Sequence, residues 1–212
     1  MPDLSQVQPT AFNCQGGLVL NRSTFMMQPG EALELQNFEP DIEGGYRRIN
    51  GFSKYVSAVV PQTSSSSEKV LMVATFGDLV VAARGEKIFS ATAGGSSWTE
   101  RDTGRTSAGT YAFERYNFDG NDKLIVVDGA NAPTFFNSAM SATDVSNSDV
   151  AGSKFVTAFR SHMFYAGKSS TPQTLVFSQP FDEDAFGSGA GSIKVDDVIT
   201  GLKVFRDNLF IF

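Results

Sequence analysis

Short apolar runs separated by turn-forming residues dominate the chain from residue 70 onward. Between residues 70 and 103 the runs are "VLMVATF", "LVVAAR" and "KIFSATA", followed by "SWTERDT". Breaks at Gly77-Asp78, Gly85-Glu86 and Gly94-Gly95 divide them. Two-residue breaks that contain glycine, set between β-forming runs, are hairpin signals. The segment therefore predicts four antiparallel strands in a meander.

The same plan recurs along the rest of the chain. A second unit has its first break at "FDGND", a third at Ser161-His162, and a last fragment at Asp207-Asn208. The residues that follow the first break of each unit are Leu79, Leu124, Met163 and Leu209, so the plan repeats every 39 to 46 residues. A four-stranded unit of this period is typical of the blades of a β-propeller.

In the predicted strands, odd and even positions are both apolar, as in "LIVV" and "LVVAA", so that apolar and polar residues do not alternate. This pattern indicates sheets covered on both faces, which radially stacked blades achieve because each blade shields its neighbours. We therefore predict an all-β fold of β-propeller-like four-stranded antiparallel blades. A β-sandwich or barrel with similar hairpins is the alternative fold.

The predicted organisation has two parts. Residues 1–62 are expected to form an irregular N-terminal docking segment, and residues 63–212 a partial propeller. The expected blades span about 70–103, 110–145 and 154–196, with a partial blade at 198–212. Because a propeller typically needs about four to eight blades, we expect the chain to be a fragment of a longer reading frame. Completion of the ring by other subunits is the alternative.

Composition and charge narrow the class of protein. With 41% hydrophobic and 19% charged residues, the chain is not a disordered acidic segment. The net charge is −6 and the longest basic tract is Arg47-Arg48, so no concentrated phosphate-binding face is indicated. No apolar run is long enough to span a bilayer. The single cysteine, Cys14, cannot form an internal disulfide and is interpreted as a small apolar residue.

The N-terminal segment does not follow the blade plan. In "QPGEALELQNFE", proline at the first turn followed by glutamate favours a helix that starts at Pro29. Several short motifs occur here in a fixed order: Gly16-Gly17, Gln28-Pro29-Gly30-Glu31-Ala32, Asn37, Gly44-Gly45, Arg47-Arg48 and Gly51-Phe52.

This ordered series resembles the start of tail proteins of tailed bacteriophages, especially the nozzle or tail-tubular proteins of short-tailed phages. Ile49-Asn50-Gly51 replaces the Arg-Pro-Gly that usually closes the motif. The resemblance covers about forty residues as motif and the rest as architecture, since a β-propeller follows in that family.

The resemblance implies a virion structural protein without enzymatic activity or cofactor. Such proteins assemble as a homo-oligomeric ring with other phage tail proteins and line the channel through which DNA passes. It implies a location in the virion, assembled in the host cytoplasm, with no membrane insertion. A carbohydrate-binding or glycan-processing propeller, either free-standing or the receptor-binding part of a phage, is the alternative function.

Four places in the chain invite chemical interpretations, and each also has a structural one. Asp119, Asn121 and Asp122 in "FDGNDK" could bind calcium, but a β-turn is the interpretation adopted. Asp182, Glu183 and Asp184 could supply a carboxylate pair, but an exposed loop is preferred. His162 is interpreted as a turn residue and Trp98 as a core aromatic. No catalytic, cofactor-binding or metal-binding residue is therefore predicted.

Overall fold

The computed structural model describes residues 16–64, 67–107 and 109–212. The chain divides into two compact units, Met1–Ser53 and Lys54–Phe212. This division falls earlier than the expected boundary at residue 62, because residues after Ser53 bond to the first large sheet. The amide of Gly94 donates to the Tyr55 carbonyl over 2.7 Å, and the Ser57 amide donates to the Gly95 carbonyl over 3.0 Å.

The described part of the first unit consists of short strands and turns. Strand β1 (Gly17–Leu18) pairs in parallel with β2 (Glu31–Ala32), and β3 (Phe38–Pro40) pairs antiparallel with β4 (Tyr46–Arg48). A single 3-10 turn spans Thr24–Met26.

The helix predicted after Pro29 is wrong. Gly30 has a φ of 92°, which a right-handed helix does not allow, and Glu31 begins β2. The Glu31 carboxylate instead accepts a hydrogen bond from the amide of Gln28 over 2.9 Å. This side-chain bond closes a turn at the position where the proline predicted a helix start.

Three four-stranded antiparallel meanders follow one another in the second unit, and within each the strands pair in chain order. Sheet 1 contains β5 (Val70–Phe76), β6 (Leu79–Arg84), β7 (Lys87–Thr92) and β8 (Thr99–Asp102). Sheet 2 contains β9 (Ala112–Asn117), β10 (Asp122–Val127), β11 (Thr134–Phe136) and β12 (Ala142–Asp144). Sheet 3 contains β13 (Phe155–Phe159), β14 (His162–Ala166), β15 (Thr174–Phe177) and β16 (Gly191–Lys194). A final hairpin is formed by β17 (Leu202–Phe205) and β18 (Asn208–Ile211).

These sheets confirm the predicted all-β fold of propeller-like, four-stranded blades. The first break of sheet 1 lies at Gly77-Asp78 as predicted, since Phe76 pairs with Leu79. The breaks of sheet 3 and of the final hairpin lie one residue earlier than predicted, at Arg160-Ser161 and Arg206-Asp207.

The two displaced turns have the same backbone geometry. Arg160 and Ser161 have φ values of 46° and 66°, and Arg206 and Asp207 have values of 47° and 57°. Two successive positive φ angles in a two-residue hairpin are the mark of a type I′ turn. Glycine, asparagine and aspartate normally signal that turn, so an arginine in its first position explains why the sequence placed the break one residue late.

Consecutive sheets pack face to face and share cores. The core between sheets 1 and 2 contains Met72, Phe76, Val81, Ile88, Leu124, Val126 and Phe136. The core between sheets 2 and 3 contains Tyr116, Ile125, Val127, Val156, Met163 and Tyr165. A smaller core between sheet 3 and the final hairpin contains Ala166, Leu175 and Ile199, with Leu202 and Leu209 packed against it.

Strand β10 explains why the apolar runs do not alternate. Leu124 and Val126 enter the core shared with sheet 1, whereas Ile125 and Val127 enter the core shared with sheet 3. All four side chains are completely buried. A strand covered on both faces needs apolar residues at every position, so "LIVV" is the sequence of a middle sheet.

Candidate functional site

The motif of the first unit builds a single packed turn system. Gly16 lies so close to β2 that an added Cβ would be 2.5 Å from Cγ of Glu31 and 2.8 Å from its backbone nitrogen. The Tyr46 hydroxyl is 2.7 Å from the Gly30 carbonyl and 3.1 Å from the Gly17 carbonyl. One tyrosine thus joins the Gly-Gly, Pro-Gly-Glu and Gly-Gly-Tyr pieces of the motif.

Other motif residues fix the same unit. Asn37 has a φ of 62°, and its carbonyl accepts from the amide of Ile49 over 2.9 Å. Gly44 and Gly45 have φ values of 98° and 91°, which glycine adopts without a steric penalty, and they close the turn between β3 and β4. The ordered glycines therefore have a structural role.

The described residues of the first unit, 16–53, carry many exposed apolar side chains. None of residues 16–53 is buried, and Phe25 and Phe52 are 98% and 99% exposed. The other large exposed apolar residues are Leu18, Leu20, Met26, Leu33, Phe38, Ile42 and Ile49. Exposed apolar groups at this density are typical of a surface that another protein covers.

A second candidate is an open groove in the second unit, here called the strand-end groove. It has a volume of about 700 Å³ and combines parts of sheets 1 and 2 with β17. It is lined by Phe76, Gly77, Phe113, Glu114, Arg115, Tyr116, Asn117, Asp122, Lys123 and Lys203. First strands of successive sheets lie beside one another, β5 near β9, β9 near β13 and β13 near β17, which brings these residues together.

Charged groups of both signs line the strand-end groove. Burial raises the pKa of Glu114, against the opposing effects of Lys203, a hydrogen bond from Thr157 and the charge of Arg115. Arg115 and Lys203 are exposed, and among the described residues neither has an ion-pair partner. The groove therefore has two cations available to a ligand.

Lys123 is differently placed, because it already has protein partners. Its ammonium group lies 2.8 Å from the Glu183 carboxylate and 3.4 Å from that of Asp119. Partial burial works against the charged form, but Glu183 and Asp119 together raise the pKa of Lys123. This lysine belongs to the contact between sheets 2 and 3.

The predicted exposed loop at Asp182–Asp184 is wrong for its central residue. Glu183 is 2% exposed, and its backbone carbonyl accepts a hydrogen bond from the Tyr165 hydroxyl over 2.8 Å. Asp184 accepts from the amide of Ser146 over 2.8 Å. The cluster thus ties the loop to sheet 2 instead of offering a pair of free carboxylates.

A buried arginine that sequence reasoning missed joins sheets 1 and 2. The side chain of Arg105 is 4% exposed and lies 2.6 Å from the Asp102 carboxylate. It also donates to the Ala132 carbonyl over 2.9 Å, donates to the Thr134 hydroxyl, and lies 3.5 Å from the fully buried Asp128 carboxylate. The "DTGR" that contains it gave no signal, because its partners lie in the next unit of the repeat.

The other residues that the sequence analysis singled out make hydrogen bonds within the protein. Asp119 and Asn121 lie in the hairpin loop between β9 and β10, where Asp119 accepts from the Asn121 amide over 3.2 Å. Trp98 is half-buried and its indole donates to the Ala58 carbonyl over 3.0 Å. Across residues 16–64, 67–107 and 109–212 there is no group of three or more potential metal ligands. Cys14 lies outside the described residues.

His162 is not a turn residue, which corrects its predicted role. It is the first residue of β14 and pairs with Phe159. Its Nδ1 lies 2.7 Å from the Ser178 carbonyl, and its ring packs edge-on against Phe177 with centroids 5.6 Å apart. A histidine held in this way supports the sheet.

No protein-family model matches this chain, and no curated protein matches it. In the part of the chain that the structure covers, no helix has the length and apolar character needed to cross a membrane.

Proposed function

We propose that this chain is a structural protein of a bacteriophage tail, a nozzle or tail-tubular component that works without catalysis. In this role it joins a homo-oligomeric ring with other tail proteins in the virion, and DNA passes through the ring. The observation that carries the proposal is the first unit, in which the motif residues build a defined backbone that displays apolar side chains.

Physical reasoning supports an assembly role for that unit. Apolar side chains left in water cost free energy, and contact with a partner recovers about 25 cal/mol for each Å² that is buried. None of the described residues 16–53 is buried, and Phe25 and Phe52 are almost fully exposed. Association with other subunits would cover these apolar groups.

The second unit suits the same role. Its sheets share continuous cores, so it forms a stiff β body. The net charge of −6 limits attraction between the protein and passing DNA, since phosphate binding depends on clustered cations.

Electron microscopy and size-exclusion chromatography of the full chain test this proposal. We expect rings with a pore wide enough for duplex DNA, and we expect Phe25→Ser and Phe52→Ser to dissociate them. Phe181→Ser, which alters a 62% exposed residue of the second unit, is the matched control and should leave rings intact. A monomer at every concentration, or rings unaffected by both variants of the first unit, would contradict the assembly role.

Location in the virion needs a separate experiment. An antibody raised against the chain should label the tail of intact phage particles, and the protein should co-purify with them. Absence from purified particles would refute the tail assignment even if rings form.

The strand-end groove favours a second function, carbohydrate binding. Its volume of about 700 Å³ lies within the range of small-ligand sites, and its lining combines an exposed aromatic ring with amide, carboxylate and cationic groups. A glycan array with the full chain tests this function, and absence of any specific hit would exclude it.

A further inference from the structure

Two cations that are far apart in sequence, and that have no ion-pair partner among the described residues, both line the strand-end groove. Arg115 lies on β9 and Lys203 on β17, and the charges of both act on Glu114. Each side chain is exposed. A groove with this arrangement can accept an anionic group without breaking an existing ion pair.

An aromatic ring lies on the same face of β9 as Arg115. Phe113 is two residues earlier on the strand, so its side chain points to the same side of the sheet, and it is 40% exposed. Asn117 is the next residue with this orientation, and it donates to Asp122 over 3.0 Å. One face of the strand therefore presents a ring, a guanidinium and an amide in a row.

This row matches the chemistry of an acidic sugar. A guanidinium binds a carboxylate through two parallel hydrogen bonds, and an ammonium group adds a point charge. An exposed aromatic ring provides an apolar platform for the C–H face of a pyranose. The carboxylate of Asp122, which pairs with Asn117 across β9 and β10, can accept hydrogen bonds from sugar hydroxyls.

The same lining disfavours a polyphosphate. Two carboxylates stand beside the two free cations, and the whole chain has a net charge of −6. Nucleic acid presents closely spaced phosphates that bind best where cations are concentrated. A ligand with one carboxylate and several hydroxyls fits this groove better, because its carboxylate can pair with the cations and its hydroxyls can donate hydrogen bonds to the acidic groups.

We infer that the strand-end groove binds an acidic saccharide, with its carboxylate held between Arg115 and Lys203 and a sugar ring placed against Phe113. This inference rests on the proposed carbohydrate-binding function and is independent of the tail role. It specifies the class of glycan and the residues that select it.

The test compares a matched pair of probes on the full chain. Trigalacturonate carries the carboxylates, and its methyl ester has the same sugar rings without the charge. Calorimetric titration should show that trigalacturonate binds and that the ester binds at least about tenfold more weakly. Arg115→Gln and Lys203→Gln should each weaken trigalacturonate binding by at least about tenfold, while Lys194→Gln, an exposed cation on β16, should leave it unchanged.

Every other outcome contradicts the inference. The two probes also distinguish the selection of acidic sugars from the broader proposal of carbohydrate binding. Equal affinity for the acid and the ester would retain carbohydrate binding and refute the selection of acidic sugars. Failure of both probes at millimolar concentration, together with a glycan array without hits, would refute both. Trigalacturonate binding that survives both groove variants would place the ligand elsewhere. Tighter binding of a single-stranded oligothymidylate with the same variant sensitivity would assign the groove to nucleic acid.

Discussion

Leu124 and Ile125 are adjacent on β10, yet their side chains enter different cores. Both are completely buried, Leu124 between sheets 1 and 2 and Ile125 between sheets 2 and 3. Replacement by alanine removes three carbon atoms in either case. At about 0.8 kcal/mol for each buried methylene, the lost transfer free energy is about 2.4 kcal/mol. The cavity left behind raises the expected cost to about 2–5 kcal/mol for each variant.

Urea denaturation measures both costs. Trp98 is the only tryptophan and is half-buried beside sheet 1, so its fluorescence reports unfolding, with circular dichroism as a second probe. Val73→Ala is the control, because Val73 is 60% exposed on β5 and its truncation should change the free energy of unfolding by less than about 0.5 kcal/mol. If Leu124→Ala or Ile125→Ala cost no more than this control, sheet 2 would have a solvated face and the face-to-face packing would be refuted.

Three further predictions concern polar contacts. Arg105→Met should lower the free energy of unfolding by about 3–5 kcal/mol, because it leaves the buried Asp128 carboxylate without its cation. An unchanged urea midpoint would contradict this prediction. Hydrogen bonds from Ser64 and Thr63 lower the pKa of Glu68 from 4.5 to about 2, so its stabilising effect is complete above pH 4.5 and is lost as the pH falls towards 2. Glu68→Gln should therefore reduce the loss of stability between these pH values, and an identical acid profile would count against the bonds. Tyr46→Phe should cost the first unit about 0.5–1.5 kcal/mol and speed limited proteolysis within residues 16–53, while cleavage after residue 54 stays at the wild-type rate.

The fold was largely predictable because its strongest signals are local. Glycine-containing breaks such as Gly77-Asp78 and Gly85-Glu86 mark hairpins directly, and the apolar runs between them match the observed strands. The signal failed where a non-glycine residue occupies a left-handed turn, as Arg160 and Arg206 do. It failed again after Pro29, where the hydrogen bond that the Gln28 amide donates to the Glu31 carboxylate and the positive φ of Gly30 override the helix preference.

The candidate site was less predictable because it depends on distant pairs. Lys203 and Arg115 line the same groove only because β9, β13 and β17 lie side by side, and no spacing in the sequence reports that arrangement. Glu183 was expected in an exposed loop because its neighbours are acidic, but Lys123 lies 60 positions away and draws it into the interior. The N-terminal motif is visible in the sequence as an ordered series, but the Tyr46 hydroxyl that joins its pieces contacts residues 16 and 29 positions away, which no local pattern reports.

Double-sided burial of sheet 2 limits how this protein could be shortened or have evolved. A piece that ends after sheet 2 would expose Ile125 and Val127 to water, and one that begins there would expose Leu124 and Val126. Neither piece is expected to persist as a soluble monomer, so the smallest autonomous portion should comprise three adjacent sheets. Growth of such a molecule by duplication would then proceed at its ends, where a newly added sheet covers the last open face.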